Sequence, residues 1–248
     1  MKILLNGCLG RMGRAVTELA PSRDCAVAAG VDVTAGGAAY PVYTALADCP
    51  AADVVIDFSS PAALEEELAY VIERGLPLVL CTTGLSAQQI AAVHTAAQSV
   101  PVFFSSNMSL GVAVLSALTK KAAAVLGDTY DIEIVEMHHN QKLDAPSGTA
   151  LMLADAAKAG LSFEPEYTYD RHTRRQKRDK KEIGIASLRG GMVVGEHSVY
   201  FAGEQEVITL SHSAGSRSVF AAGALTAAAF LQGKPAGLYS MEDIIGAI

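Results

Sequence analysis

Residues 2–14 read KILLNGCLGRMGR, a short apolar run followed by a turn that has glycine at every third position. The run is typical of a buried parallel strand, and a helix is predicted from Arg14 to Ala20. Gly7, Gly10 and Gly13 therefore lie where a strand passes into a helix. Glycine there allows a sharp turn and a close approach of backbone amides to a pyrophosphate, so the turn predicts a dinucleotide site. A tight turn without a ligand is the alternative.

Strand and helix continue to alternate through the first hundred residues. Further strands are predicted at Ala26–Val31, Val54–Phe58, Leu78–Leu80 and Val102–Phe104, with helices at Ala62–Arg74 and from Ser86 to about Ser99. This order specifies a parallel sheet with helices on both faces, which is the α/β architecture of a Rossmann-type domain.

After Asn107 the pattern becomes mixed α+β. Helices are predicted at Leu110–Leu126, Thr149–Ala159 and Ser218–Leu231, a strand at Asp131–Met137, and an antiparallel meander of Ile183–Leu188, Met192–Phe201 and Glu206–His212. We expect the helix Ser218–Leu231 to pack against the first domain through a small apolar face, formed by Phe220, Ala221, Ala224, Leu225 and Ala228. The predicted domains are therefore residues 1–107 with 217–248, which bind the dinucleotide, and residues 108–216, which hold a second, mixed sheet.

The composition excludes several classes of protein. The 248 residues are half apolar, with a mean hydropathy of +0.28, so the chain can bury a sizeable core and is not expected to be disordered. A net charge of −7 argues against a general nucleic-acid binder. No apolar run reaches the roughly 18 residues of a membrane span, and no leader precedes the first strand, so no membrane segment or signal peptide is predicted.

The four cysteines are too far apart for a zinc knuckle or finger. They are Cys8, Cys25, Cys49 and Cys81, and no two lie within four residues of each other. A cytoplasmic protein with reduced thiols and without a metal is the simplest interpretation.

One segment opposes the acidic balance. Residues 170–181, DRHTRRQKRDKK, hold seven Lys/Arg and two Asp, a charge of +5, so the rest of the chain carries −12. A solvated, mobile loop is the first interpretation, and a loop that closes over an anionic ligand is the second. The segment has no interleaved aromatic residues for stacking bases, so nucleic acid is a poor third.

Polar groups follow the predicted strands of the first domain. Asp32 ends the second strand, 19 residues beyond Gly13, where an acid binds the ribose hydroxyls of a dinucleotide. Asp57–Ser60, Cys81–Gly84 and Ser105–Asn107 follow the next three strands. The carboxyl ends of strands are where α/β sheets bind ligands, although serine and threonine there also cap helices.

The densest chemistry lies at residues 136–149, EMHHNQKLDAPSGT. Adjacent histidines at a strand end point to opposite faces, and Lys142 follows His138 by four residues. Residues 146–149 open a helix whose first amides can hold a carboxylate. A proton donor, a cation and an anion site thus fall together. Structural histidines and a metal-binding histidine pair are the alternatives, and no third metal ligand is evident.

Residues 136–150, EMHHNQKLDAPSGTA, closely resemble the signature of the dihydrodipicolinate reductase family. The resemblance extends to GCLGRMGR at 7–14, CTTG at 81–84, NMSLGV at 107–112, VGEHS at 194–198 and HSAGSRSVFAAGA at 212–224. It covers nearly the whole chain except residues 161–182, which include the basic segment.

The resemblance implies an enzyme of bacterial diaminopimelate and lysine biosynthesis. Such an enzyme reduces (2S,4S)-4-hydroxy-2,3,4,5-tetrahydrodipicolinate, a small dicarboxylate, with NAD(P)H, and yields tetrahydrodipicolinate and water. The resemblance also implies a homotetramer assembled through the sheet of the second domain. Residues 108–216 are therefore expected both to bind substrate and to form the tetramer.

The resemblance also implies roles for individual residues. By position, His138 is the proton donor and Lys142 a second acid/base or cationic group. Three residues are expected to hold the substrate carboxylates, and a fourth is a candidate for further positive charge: His139, Gly148, Thr149 and Arg217. Residues implied to contact the cofactor are Gly7, Gly10, Arg11, Met12, Gly13, Asp32, Cys81, Thr82, Thr83, Gly84, Ser106, Asn107 and Met108. Phe58 and Ser59 are added because they lie at the carboxyl end of the third strand of the predicted sheet.

The sequence also predicts a cofactor preference. NADPH carries a phosphate on the ribose that Asp32 is expected to face, and a carboxylate repels that phosphate. No Lys or Arg occurs between Asp32 and Arg74, so only Arg11 and Arg14 on the glycine turn remain as phosphate partners. We therefore predict that NADH is used at least as well as NADPH.

Two other functions compete with the reductase. A dehydrogenase of aspartate-derived aldehydes needs an active cysteine in the second domain, but all four cysteines lie in the first 81 residues. A dinucleotide-sensing regulator needs a DNA-reading helix-turn-helix and a basic face, and neither is evident.

Overall fold

The computed structural model describes residues 1–246. In chain order the elements are β1 (Lys2–Asn6), α1 (Arg11–Leu19), β2 (Ala26–Val31), β3 (Val42–Tyr43), β4 (Val54–Asp57), α2 (Leu64–Arg74), β5 (Leu78–Leu80), α3 (Ala87–Ala96), β6 (Pro101–Phe104), α4 (Leu110–Leu126), β7 (Asp131–His138), α5 (Gly148–Lys158), β8 (Glu166–Thr168), β9 (Glu182–Arg189), β10 (Gly195–Ala202), β11 (Val207–Ala214), α6 (Ser218–Leu231), β12 (Gly237–Tyr239) and α7 (Met241–Gly246). The chain forms two compact units, here called the first unit (Met1–Ser109 and the segment from Arg217 onward) and the second unit (Leu110–Ser216).

The first unit is built on a parallel sheet of seven strands in the order β12–β6–β5–β4–β1–β2–β3. Its central strands are short and apolar, and Ile3, Leu4 and Leu5 of β1 have no exposed surface. The chain reverses its direction of travel across the sheet at β1, because β2 lies on one side and β4 on the other. The carboxyl ends of strands at such a switch point form the usual ligand crevice. The predicted Rossmann-type class is confirmed.

Local signals determine where the helices of this unit begin and end. Helix α1 begins at Arg11 rather than at Arg14, because Gly10 occupies its N-cap. Gly75 ends α2 with a φ of 63°. Ser86 accepts a hydrogen bond from the amide of Gln89, whose side chain returns to the amide of Ser86, and this capping box starts α3.

Helix α6 packs against α1 and the central strands of the first unit, as expected for the last helix. Its small residues allow a close approach. A Cβ on Gly223 would lie 1.6 Å from the carbonyl oxygen of Met108, so only glycine fits at that contact. The predicted apolar face is buried at Ala221, Ala224 and Leu225.

The second unit contains a mixed sheet in the order β11–β10–β7–β9–β8. Strand β7 alternates between half-buried and buried residues, and Ile132 and Ile134 pack against α4 and α5. This alternation is typical of a sheet with one face on a helical layer.

The predicted meander is wrong. Strands β10 and β11 form an antiparallel hairpin, but β7 lies between β9 and β10 and pairs in parallel with β9. The Gly190–Gly191 turn crosses the end of β7, where the amide of Gly190 donates to the carbonyl oxygen of His138 at 2.9 Å. A Gly-Gly turn can join two strands that pair with each other or, as here, two strands that pair on either side of a third. The sequence of the turn does not distinguish these two connections.

The basic segment also differs from a solvated loop, because three of its arginines pair with carboxylates of the sheet. Arg171 and Arg178 both contact Glu133 of β7, and Arg171 and Arg174 both contact Glu182 of β9. The Glu182 side chain is almost fully buried beneath them. The arginines thus neutralise carboxylates on two adjacent strands, β7 and β9.

Within residues 1–246, no helix is both long and apolar enough to cross a membrane. Over the same range, no three His, Cys, Asp or Glu side chains are grouped as they would be around a metal ion. All four cysteines are free thiols.

Candidate active site

A cavity of about 480 Å³ lies at the carboxyl ends of β1, β2 and β4 in the first unit. The residues that line it are Asn6, Gly7, Leu9, Gly10, Val31, Asp32, Val33, Thr44, Leu46, Phe58, Ser59, Ser60, Ala63 and Glu66. Five of the predicted cofactor residues are among them, namely Gly7, Gly10, Asp32, Phe58 and Ser59. The predicted turn and the predicted acid therefore share one cavity.

The glycine turn is packed so closely that no side chain fits at Gly7 or Gly13. Gly7 has a φ of +74°, and a Cβ there would lie 2.5 Å from the carbonyl oxygen of Phe58. A Cβ on Gly13 would lie 2.4 Å from the carbonyl oxygen of Gly7. At these two glycines the turn presents only backbone, which is what close approach of a pyrophosphate requires.

Asp32 is held in place by backbone amides. Its two carboxylate oxygens accept hydrogen bonds from the amides of Leu9 and Val33, each at 2.8 Å. The side chain of Arg14 donates to the carbonyl oxygen of Leu9 at 3.1 Å. Arg11 and Arg14 are exposed, and neither lines the cavity.

A second cavity of about 360 Å³ shares Phe58 and Ser59 with the first. Its lining residues are Met12, Phe58, Ser59, Cys81, Thr82, Thr83, Ser105, Ser106, Asn107, Met108 and Phe220. Of the predicted cofactor residues, Arg11, Gly13 and Gly84 line neither cavity. Gly13 instead packs beneath the turn, and Gly84 occupies a turn with a φ of +78°.

Several lining residues were not predicted. Thr44 follows β3, a strand of two residues that is too short to give a periodic signal. Glu66 lies on α2, and its position at the cavity follows only from how α2 packs. Phe220 belongs to α6, whose apolar face was predicted but not its contribution to a cavity.

Two buried carboxyl groups lie behind the cavities. Glu67 of α2 has no exposed surface, and its carboxyl accepts a hydrogen bond from the Asn6 side chain at 3.0 Å. Burial, and then the charge of Asp57, raise the pKa of Glu67 well above its ordinary value. Burial also raises the pKa of Asp57, although hydrogen bonds from Ser59 and Thr82 oppose this. Since these groups are deep in the core, a neutral Glu67 is the form that the fold favours.

In the second unit, His138 is the centre of a buried polar network. Its Nδ1 lies 2.6 Å from Oε2 of Glu136, two residues earlier on the same face of β7. Arg189 of β9 donates to both oxygens of Glu136, each at 2.8 Å. The amide of Ser147 donates to Oε1 of Glu136 at 3.1 Å. Glu136 therefore joins the histidine to the start of α5.

The charges of this network are set by burial and by these contacts. Burial raises the pKa of Glu136, but hydrogen bonds from Arg189 and His138 outweigh it and lower the pKa to about 2. Burial lowers the pKa of His138, while the contact with Glu136 opposes that shift. At neutral pH Glu136 is thus a carboxylate, and the protonation of His138 depends on the charge placed near it.

A second histidine connects the network to α5. His197 of β10 packs edge-on against His138 with 5.1 Å between ring centroids. Burial, and then the charge of His138, lower the pKa of His197 to about 4, so this ring is neutral at pH 7. Its Nε2 lies 2.9 Å from the Ser147 hydroxyl, which also caps α5 by accepting from the amide of Ala150.

The other predicted substrate residues surround this network in part. Gly148 and Thr149 are the first two residues of α5, where amides point out along the helix axis. Lys142 pairs with Asp144 at 2.8 Å, and its charge also lowers the pKa of His138. His139 lies just beyond β7 and is half-buried. Arg217 is exposed at the N-cap of α6 and belongs to the first unit, so its role as a substrate ligand stays a prediction.

Three members of the network were not predicted as site residues: Glu136, Arg189 and His197. The spacing of Glu136 and His138 on a strand gives a usable signal, because residues two apart share a face. Arg189 lies 53 residues from Glu136 in sequence, and His197 lies 50 residues from Ser147. Only the order of the strands in the sheet brings these residues close to their partners.

Comparisons with known proteins identify the family. Residues 1–108 match the N-terminal domain of dihydrodipicolinate reductase, and residues 111–245 match its C-terminal domain. The chain is 49% identical over 247 residues to a 4-hydroxy-tetrahydrodipicolinate reductase of Caldanaerobacter subterraneus subsp. tengcongensis, with 99% of this chain and 98% of the relative covered. It is 44% identical over 251 residues to the protein of that name in Clostridium tetani, with 99% and 97% covered.

Solved structures show the same fold. A dipicolinate-bound dihydrodipicolinate reductase from Paenisporosarcina sp. TG-14 matches with a TM-score of 0.79 and 23% identity, covering 98% of this chain and 99% of that one. An aspartate semialdehyde dehydrogenase II from Vibrio cholerae matches more loosely, with a TM-score of 0.54 and 10% identity, covering 93% and 97%. The two family matches and the full-length relatives place this chain in the dihydrodipicolinate reductase family of oxidoreductases.

Proposed function

We propose that this protein reduces (2S,4S)-4-hydroxy-2,3,4,5-tetrahydrodipicolinate to tetrahydrodipicolinate and water with a nicotinamide cofactor, in lysine and diaminopimelate biosynthesis. The observation that carries the proposal is the buried His138–Glu136 pair at the N-terminus of α5. It combines a group that can donate a proton with a helix end that attracts carboxylates, in a chain 49% identical to a reductase of that name.

The first unit fits a nicotinamide dinucleotide. Its turn has no room for a side chain at Gly7 or Gly13, and the two cavities share the Phe58–Ser59 wall, so they can hold the two halves of one extended ligand. The Gly7–Gly13 turn would hold the pyrophosphate, and Asp32 would accept hydrogen bonds from the adenosine ribose. Thr82 and Asn107 would face the other half. When bound, the cofactor supplies a hydride.

The second unit is proposed to bind the substrate. The amides of Gly148 and Thr149 would hold one carboxylate, with His139 and Lys142 of the same unit as further partners. A bound dicarboxylate places negative charge near His138 and opposes the effect of burial on the pKa of that residue. His138 would then be protonated when substrate is present and able to protonate the ring position next to the carbon that receives the hydride.

NADH is proposed as the preferred cofactor. Among the described residues that line the larger cavity, the ionisable side chains are Asp32 and Glu66, both of which are acidic. This charge favours the free hydroxyls of NADH over the phosphate of NADPH. We also propose that the protein is a cytoplasmic homotetramer assembled through the second unit.

A coupled assay tests the proposal. Aspartate semialdehyde and pyruvate are mixed with the preceding synthase, the purified protein is added, and NADH absorbance is followed. We expect absorbance to fall only when the synthase and both of its substrates are present, with tetrahydrodipicolinate as product. Oxidation of NADH with aspartate semialdehyde alone would support a semialdehyde-acting dehydrogenase instead, and no oxidation in either mixture would refute the reductase assignment.

A further inference from the structure

We infer that Glu136 and Arg189 are positioning residues that fix His138 with Nδ1 turned to Glu136, so that Nε2 is the atom that donates the proton, and that Gly195 keeps the space beside Nε2 open. The inference rests on the proposed function for the identity of the reaction. The orientation of the ring and its protonated nitrogen can be measured without substrate.

One ring nitrogen of His138, Nδ1, carries a permanent hydrogen. Glu136 is an acceptor only, because hydrogen bonds from Arg189 and His138 outweigh burial and keep its pKa at about 2. At 2.6 Å from Oε2 of Glu136, Nδ1 of His138 must therefore hold a hydrogen in both the neutral and the charged ring. Only Nε2 is left to gain and lose the proton in each turnover.

Glu136 does not itself take up the proton that Nε2 gains and loses. Arg189 forms a two-pronged contact with the carboxylate, and the Ser147 amide adds a third donor. The carboxyl is fully buried, so the ion pair is poorly screened by solvent. A carboxylate held by three donors and the ring stays ionised and orients the imidazole rather than competing for its proton.

Access to Nε2 of His138 depends on Gly195. An ideal Cβ built on Gly195, the first residue of β10, would lie 3.0 Å from Nε2 of His138 and 3.4 Å from its Cδ2. Gly195 does not have a positive φ, so backbone conformation alone does not require glycine there. Glycine instead leaves unfilled the space next to the nitrogen that would donate the proton.

The charged and titratable groups around the ring come from several elements. Glu136 lies on β7, Arg189 on β9 and His197 on β10, while Lys142 and Asp144 precede α5. His212 of β11 is a neighbour of His197. Of these groups, Glu136 favours the charged ring of His138, whereas Lys142 and Arg189 disfavour it. Removal of the Glu136 charge should therefore make His138 a stronger acid that loses its proton at lower pH.

The reaction balances with a single proton from this ring. The substrate, NAD(P)H and one proton give tetrahydrodipicolinate, NAD(P)⁺ and water. The 4-hydroxyl and a hydrogen of the neighbouring ring carbon leave together as water, and a C=C bond forms between the two carbons. The cofactor would supply a hydride to the carbon that carried the hydroxyl, the N–H bond at Nε2 breaks, and its proton forms the C–H bond at the neighbouring carbon. Solvent then returns the proton to Nε2, so Glu136 and Arg189 are unchanged over the cycle.

The direct test is ¹⁵N NMR of histidine-labelled protein without substrate, titrated across the pKa of His138 and assigned with His138→Gln. We expect Nδ1 of His138 to remain protonated throughout and Nε2 to titrate. A neutral ring that carries its hydrogen on Nε2 would overturn the inference. Because no turnover is measured, this result is separate from the assay that tests the proposed function.

Kinetics of variants supply the second test. In Glu136→Gln we expect kcat to fall about tenfold or more, and the alkaline limb of the pH profile to move down by about one pH unit, with NADH affinity unchanged. Arg189→Lys should retain more activity than Arg189→Met. Glu196→Gln, an exposed change on β10, is the control. An unmoved pH profile in a folded Glu136→Gln protein would contradict the role of Glu136.

Gly195→Ala tests access without altering any charge. We expect kcat to fall about tenfold or more, while Gly190→Ala retains it, because a Cβ there meets only the flexible end of Met137 at 3.3 Å. Circular dichroism and NADH binding report whether each variant is folded. A folded Gly195→Ala protein with wild-type kcat would show that Nε2 is not approached from that side.

Discussion

Burial changes the acidity of individual side chains in this protein, and Glu67 is the clearest case. Its carboxyl is enclosed by the first unit, its Oε2 has no hydrogen-bond partner among the described residues, and its pKa is raised. The folded protein therefore keeps a proton that the unfolded chain releases above a pKa of about 4.3. The sign follows from linkage: this group favours folding at low pH, and the contribution is lost as pH rises toward the folded-state pKa.

Glu67→Gln should remove this dependence. Glutamine retains an acceptor for Asn6 but cannot ionise, so the free energy of unfolding of the wild type should fall relative to that of the variant as pH rises above about 5. Urea unfolding at a series of pH values measures the difference. Glu65→Gln, exposed on the same helix, is the matched control and should run parallel to the wild type. Parallel curves for Glu67→Gln as well would mean that Glu67 is already ionised in the folded protein.

At the scale of elements, the residue that starts helix α5 also belongs to the polar network around His138. Ser147 caps the helix and is tied to both Glu136 and His197, so the first turn is fixed relative to His138. Thr149→Val retains the shape but removes a hydroxyl. We expect it to weaken inhibition by pyridine-2,6-dicarboxylate by about 1–3 kcal/mol. Thr95→Val on the exposed face of α3 should have no effect, and unchanged inhibition in Thr149→Val would place the carboxylates elsewhere.

Elements with strong local signals were predictable from the sequence. The glycine turn and Gly75 at the end of α2 act through their own backbone, and Ser86 starts α3 through a side-chain contact with an amide three residues later. All three are local in sequence, so the sequence is sufficient to predict them. The order of strands in the second unit is not a local property, which is why β7 between β9 and β10 was missed. Arg189 was missed for the same reason, since it reaches Glu136 only through that parallel pairing.

The same contrast holds for the basic segment. Its charge suggested that it faces solvent or closes over an anionic ligand, but its arginines form ion pairs with Glu133 and Glu182. Those carboxylates were visible in the sequence, yet their pairing depends on β7 and β9 lying side by side. Composition alone therefore does not determine whether a run of cations is available to a ligand.

For the whole molecule, the two units are proposed to divide the work, with the cofactor on the first and the proton donor on the second. Asp32→Ala tests the first part. Removal of one of the two acidic groups that line the cavity of about 480 Å³ should shift the ratio of kcat/KM values toward NADPH. The ratio is measured at fixed substrate and ionic strength. A wild-type preference for NADPH of tenfold or more, about 1.4 kcal/mol, would contradict the role given to Asp32.

The most direct test of the account is kcat and the NADH dissociation constant of His138→Gln measured side by side with the wild type. We predict that kcat falls by about 10²–10⁴-fold, because the proposed acid is lost, while NADH affinity is unchanged, because the proposed cofactor contacts lie in the first unit. A folded His138→Gln protein that retains more than half of the wild-type kcat would contradict the claim that His138 donates the proton.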